Sequence, residues 1–149
     1  MGDTLELVPD VRFMRDGVVR SVTSVEERVI VIDFWHIRCP RCIQLLTAFT
    51  RMSAAHRDVA FVACAMNVGD GSYELTQEIV RNLSEDGLFD DEGRVVHVFA
   101  EEKEPVKRAF GVETVPHCVA IERVDGGGSP RVLFRGRIDD LDVGALSGS

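Results

Sequence analysis

Two kinds of apolar pattern alternate along the middle of the chain. Val29-Ile30-Val31-Ile32 is a continuous β-branched run, which is how a strand buried on both faces reads. The run breaks at Trp35-His36-Ile37-Arg38. From Ile43 onward Leu46, Phe49 and Met52 recur every three residues, the buried stripe of a helix. Val59-Ala60-Phe61-Val62-Ala63-Cys64-Ala65 is a second buried-strand run. Strand, helix and strand in this order predict a right-handed parallel crossover. Open α/β sheets place their sites at the carboxyl ends of strands, so the break at residues 35–38 is where chemistry is expected.

The flanks carry shorter signals. Apolar residues at 11–14 and 18–22 surround Arg15-Asp16-Gly17 and predict a β-hairpin within residues 5–24. After the second strand, the loop Asn67-Val68-Gly69-Asp70-Gly71 leads to Leu75, Ile79 and Leu83 at spacing four, a helix face ending near Gly87. Residues 95–99 predict a further strand, and residues 102–110 a short helix. Pro105 is tolerated in that helix's first turn and Gly111 acts as its stop. Residues 117–123 and 131–135 flank Asp125-Gly126-Gly127-Gly128-Ser129-Pro130, predicting an antiparallel hairpin with a glycine-rich tip. Asp139 is expected to cap a last short helix using Leu141, Val143 and Leu146.

Composition narrows the class. A chain of 149 residues predicts one domain over 1–149, with the hairpin at about 5–24 and the core at about 25–149. With 45% hydrophobic and 28% charged residues it reads as an ordinary globular protein. The net charge of −8 argues against nucleic acid or an anionic membrane as partner. No run of eighteen apolar residues is present for a membrane span. Met1-Gly2-Asp3-Thr4-Leu5-Glu6 lacks the basic and apolar regions of a signal peptide, and Glu6 does not fit a myristoylation site. Four cysteines in a chain this long do not make a disulfide scaffold. The cytoplasm is therefore the expected location.

The candidate chemistry lies at Cys39 and Cys42, where the strand pattern gives way to the helix pattern. Pro40 falls near the first helical position, where its missing N–H costs nothing. Cys39 is then expected at the helix N-terminus, where orphan N–H groups and the helix dipole stabilise a thiolate. Cys42, one turn along, can resolve a mixed disulfide formed at Cys39. Half a zinc site and an inert pair are the competing readings. Zinc needs about four ligands; no second Cys-x-x-Cys pair exists, and His36, His56, His97 and His117 have no ligand spacing. No metal is expected. Cys64 and Cys118 lie in apolar runs and read as small buried hydrophobes.

Asp33-Phe34-Trp35, three residues, then Cys39-Pro40-Arg41-Cys42 resembles the thioredoxin superfamily motif. Gly111-Val112-Glu113-Thr114-Val115-Pro116 is similar to that superfamily's segment leading to a cis-proline. The Cys-Pro-x-Cys form is similar to tryparedoxins and TlpA-like thiol–disulfide oxidoreductases, as are the N-terminal hairpin and the helix–strand insertion at about 72–99. The resemblance implies an α/β thioredoxin-like fold, a mixed central sheet with helices on both faces. It implies a protein thiol–disulfide oxidoreductase in which Cys39 attacks, Cys42 resolves, and a buried Asp33 takes the proton from Cys42. A strand-end Asp that merely hydrogen-bonds locally is the alternative for Asp33. It also implies that Pro116 is cis and that the Val115 backbone is open to an extended substrate. A half-buried Trp35, Arg38, Pro40 and Arg41 complete the expected substrate surface. Arg38 and Arg41 stand where relatives more often carry an aromatic and an uncharged residue, and two cations there favour the Cys39 thiolate. The implied partners are protein disulfides and an upstream reductant, with no cofactor beyond the Cys39–Cys42 disulfide, and the chain is expected to be a monomer. A peroxiredoxin-like peroxidase and a non-catalytic redox-sensing module are the alternatives. The peroxidase pattern wants Thr three residues before the cysteine and Pro four before that; this chain has His36 and Ile32.

Overall fold

In the computed structural model, residues 4–5, 7–67, 69–86, 94–124 and 128–146 are described. Seven strands form one sheet: β1 (Asp10–Phe13), β2 (Val19–Ser21), β3 (Val29–Trp35), β4 (Val59–Ala65), β5 (Val95–Phe99), β6 (His117–Glu122) and β7 (Arg131–Gly136). Their order across the sheet is β2-β1-β5-β4-β3-β6-β7. β3, β4 and β5 are parallel neighbours, and the other pairings are antiparallel. The α-helices are α1 (Pro40–Ala55), α2 (Ser72–Glu85), α3 (Lys103–Phe110) and α4 (Val143–Leu146). The expected α/β fold with a mixed sheet is what the chain adopts. None of these helices is long and apolar enough to cross a membrane.

The continuous apolar runs build the centre because both faces of β3 and β4 are covered; all fourteen residues of the two strands are buried. Alternation then sorts their side chains into two cores. Val31 and Trp35 of β3 join Phe61 of β4 and Leu46 and Phe49 of α1, with Ile138, Leu141 and Val143 closing that side. Ile30, Ile32 and Phe34 face the opposite core with Val62, Val98, Phe110 of α3 and Leu5. Each large apolar side chain buried in this way contributes roughly 1.5–3 kcal/mol. The far end of α1 is closed from a distance: the Arg94 guanidinium donates to the carbonyls of Ser53 at 3.1 Å and His56 at 3.2 Å, terminal acceptors that the helix leaves unpaired.

Several local expectations need correction. The N-terminal hairpin forms, but β1 also pairs with β5, so the ribbon is part of the main sheet. Its second arm stops early: Val22 enters a 3-10 turn, Val22–Ser24, because the Ser21 hydroxyl accepts the Thr23 N–H at 3.2 Å. In α2, Ile79 and Leu83 pack against the core, but Leu75 is 46% exposed and Thr76 is fully buried in its stead. The helix is rotated by tertiary contacts. Asn67 donates to Thr76 Oγ1 at 2.8 Å, and Tyr73 meets Phe99 edge-on with centroids 5.4 Å apart. Gly87 and the glycine tip at 125–127 lie outside the described residues.

Candidate functional site

β3 delivers the chain to the site. After Trp35, residues 36–39 turn tightly: the Cys39 N–H donates to the His36 carbonyl at 3.0 Å, and the Arg38 N–H donates to His36 Nδ1 at 3.0 Å. Cys39 has extended backbone (φ −109°, ψ 96°) and is the N-cap of α1, with Pro40 directly following. Its sulfur accepts the Cys42 N–H at 3.1 Å, one of the orphan donors of the first helical turn. Cys39 and Cys42 form a disulfide with Cα atoms 5.2 Å apart, inside the ordinary range. The two sulfurs are not equivalent: Cys39 is half-buried, whereas Cys42 is wholly inside the α1-side core. An attacking thiol reached from solvent and a sheltered resolving thiol is what that asymmetry can support.

Below the pair lies Asp33. It is 1% exposed and shares its face of β3 with Val31 and Trp35, so it points to the α1 side, the side that holds Cys42. Burial holds its carboxyl well above the usual carboxylate range, since a charge there would be desolvated. Oδ2 is buried with no hydrogen-bond partner among the described residues. Directly opposite Asp33 stand Ala63 of β4 and Cys118 of β6. Both free thiols are pushed up, Cys64 to about 12 and Cys118 well above its usual value, by burial first and by the Asp33 charge second.

β6 brings the second motif to the same end of the sheet. Its register sets His117 opposite Phe34, so Pro116, one residue earlier, lies beside the end of β3 from which the 36–39 turn departs. The Val115–Pro116 bond is cis. Val115 is half-buried and packs against both cores.

No family model matches this sequence, and no curated protein matches it. Solved structures do share its fold. A thioredoxin-like protein from Aeropyrum pernix gives a TM-score of 0.66 at 17% identity, over 93% of this chain and 85% of that one. The structure of MTB dsbF in its mixed oxidized and reduced forms gives 0.62 at 24% identity, over 96% and 91%. A thiol-disulfide oxidoreductase from Bacteroides fragilis gives 0.63 at 14% identity, over 97% of each chain. The chain has a thioredoxin-like fold.

Within this thioredoxin-like fold the remaining expected site residues divide. Arg38, Pro40 and Arg41 are exposed beside Cys39. Trp35 is not half-buried: it is 0% exposed, covered on the α1 side of the sheet, so it offers no docking surface. Its full register with β4 carries it inward. Asp139 does not cap the last helix. It sits in a 3-10 turn, Ile138–Asp140, and its carboxylate pairs with Arg41 at 3.1 Å and Arg137 at 4.0 Å. Two neighbours escape sequence reasoning altogether. Lys103, at the start of α3, acts with Arg38 and with burial to hold the His36 imidazole below its usual value, burial being the largest cause. Cys118 as the cross-strand neighbour of Asp33 is set by sheet register alone. Neither has a signal in local sequence. Among the described residues no group of three or more His, Cys, Asp or Glu is placed to hold a metal.

Proposed function

We propose that the protein is a thiol–disulfide oxidoreductase acting on protein disulfides through Cys39 and Cys42. The observation that carries this reading is half-buried Cys39 at the N-cap of α1, its sulfur accepting the Cys42 N–H and disulfide-bonded to a buried Cys42. In the reductive direction the Cys39 thiolate attacks a substrate disulfide. A mixed disulfide forms and one substrate thiolate leaves. Cys42, its proton passed towards Asp33, then attacks the Cys39 sulfur, which releases the second substrate thiolate and closes the Cys39–Cys42 bond. Two electrons and two protons pass from the dithiol to the substrate. The N–H at the Cys39 sulfur and the helix N-terminus stabilise the attacking thiolate. The raised Asp33 carboxyl is suited to receive a proton that an ordinary carboxylate would not hold.

The Cys-Pro-Arg-Cys sequence and the N-terminal ribbon support a tryparedoxin-like or TlpA-like relationship within this reading. Two buried free cysteines, Cys64 and Cys118, are compatible with the reducing cytoplasm as its setting, with a thiol reductant upstream. The test is an insulin-disulfide reduction assay run beside a peroxide-consumption assay. Reduction of insulin that is lost in Cys39→Ser is the expected result. Peroxide consumption without insulin reduction would assign the protein as a peroxidase, and neither activity would leave a redox-sensing module. Cys42→Ser should stall the mixed disulfide and let its substrates be captured.

A further inference from the structure

The charge around Cys39 runs against the charge of the chain. The sequence carries −8 overall, yet Arg38 and Arg41 flank Cys39, and Lys103 opens α3 just past β5 at the same end of the sheet, where the Ala100 N–H donates to the Ala65 carbonyl at 3.0 Å and the Met66 N–H to that of Trp35 at 2.8 Å. Arg41 is engaged with Asp139. Arg38 is exposed and Lys103 half-exposed, and neither forms an ion pair among the described residues. Glu102 and Glu104 flank Lys103 in sequence, but both are exposed and neither is bonded to it. The field these charges make is visible at His36. Burial first, and then Arg38 and Lys103, disfavour a proton there. His36 accepts the Cys39 N–H through its carbonyl and Arg38 directly precedes Cys39, so this charge belongs to the turn that carries the attacking sulfur.

Two cations without an ion pair, at the end of the sheet that carries a reactive sulfur, are at their least favourable with the site empty and gain when an anion arrives. Taking the exchange reaction above as its basis, we infer that the site selects disulfides flanked by acidic residues: an extended protein segment with Asp or Glu beside its cysteine, received by Arg38 and Lys103. An anionic whole chain repels such a segment at long range, while the cationic rim attracts it at contact, so that productive approach is confined to the dithiol end of the sheet. Arg41 contributes less, because Asp139 already holds it.

The test uses two disulfide-linked peptides identical except that the residues flanking the cysteine are Glu in one and Lys in the other. kcat/KM for their reduction is measured at low and high salt. The Glu peptide is expected to be favoured on the order of tenfold at low salt, within the range of electrostatic steering, and the preference should shrink as salt screens it. R38E/K103E should invert the preference, and R38Q/K103Q, a milder change kept for the case that the reversal impairs folding, should bring the ratio to about one. Arg81→Gln, on exposed α2, should leave it unchanged. Any effect of Arg38 on the Cys39 thiolate scales both peptides alike and cancels in the ratio. Equal kcat/KM for the two peptides, or a ratio indifferent to salt and to both double variants, overturns the inference while leaving the exchange reaction standing. Reduction of neither peptide by the folded protein overturns the exchange reading, and the inference with it.

Discussion

Asp33→Asn is the most informative single change, because its effect on stability has a sign and a slope that follow from burial. Asp33 lies inside the α1-side core with no partner for Oδ2 among the described residues, and burial raises its carboxyl well above the reference value of 3.8. In the unfolded chain the carboxyl ionises near that reference; in the folded protein it stays protonated to higher pH. The folded state therefore binds one more proton throughout the window between the two values. Stability from this group is fully present below the unfolded value and is lost as pH rises towards and through the folded value, at about 1.4 kcal/mol per pH unit. Against a total of about 5–15 kcal/mol for a typical domain, two pH units of that slope are easily read. The asparagine variant has no such proton. The difference in unfolding free energy, variant minus wild type, should climb from about pH 4–5 with that slope and level off at the folded pKa of Asp33. Urea titrations at a series of pH values on the oxidised proteins give this curve. In the oxidised form Cys39 and Cys42 carry no proton. Cys64 and Cys118 are pushed up out of the window, and the histidines cancel between the two proteins. Parallel stability curves would refute the buried-acid argument. The same variant tests chemistry in the reduced form: resolution of a pre-formed Cys39 mixed disulfide should slow on the order of 10²-fold and lose the rise with pH that Asp33 imposes. The first attack by Cys39 should change little. An unaltered resolution rate would leave Asp33 without a catalytic part.

The thiols should react in the order of their exposure: on partial alkylation of reduced protein followed by mass mapping, Cys39 should label first, and Cys64, buried and pushed up to about 12, only on unfolding. Early labelling of Cys64 or Cys118 would reassign the nucleophile. Arg38→Ala should raise the pH at which the Cys39 thiolate forms, read by its ultraviolet absorbance, more than Arg41→Ala does, because Asp139 neutralises Arg41 at 3.1 Å. Equal shifts would show that this surface pair leaves the Arg41 charge effective. Phe49→Ala removes a fully buried ring of α1 that meets Phe61 edge-on at 5.1 Å, and should destabilise the fold by about 3–5 kcal/mol in urea unfolding. A loss below ~1 kcal/mol would mean that the core under α1 collapses to fill the space.

The features legible in the chain alone were local. The β-branched run of β3, proline at the first position of α1, the Cys-x-x-Cys spacing between them and the glycine that ends α3 at φ 68° are each written within a few residues, because strand burial, helix starts and helix stops are short-range effects. The mixed sheet and the dithiol at its carboxyl end follow from those signals taken in order. The rest came from packing between distant segments. Whether Trp35 faced solvent or core depended on how far β3 stays in register with β4, which no periodicity in β3 contains. The rotation of α2 was set by Asn67 reaching Thr76 and by Tyr73 against Phe99, so a polar residue displaced Leu75 from the buried face. Asp139 was drawn from its expected cap to Arg41, 98 positions away in the chain. Cys118 came to face Asp33, and Lys103 came within reach of His36, through strand pairing and helix packing between segments that share no local pattern. Charges and thiols act through space, so their neighbours exist only once the sheet has closed around them.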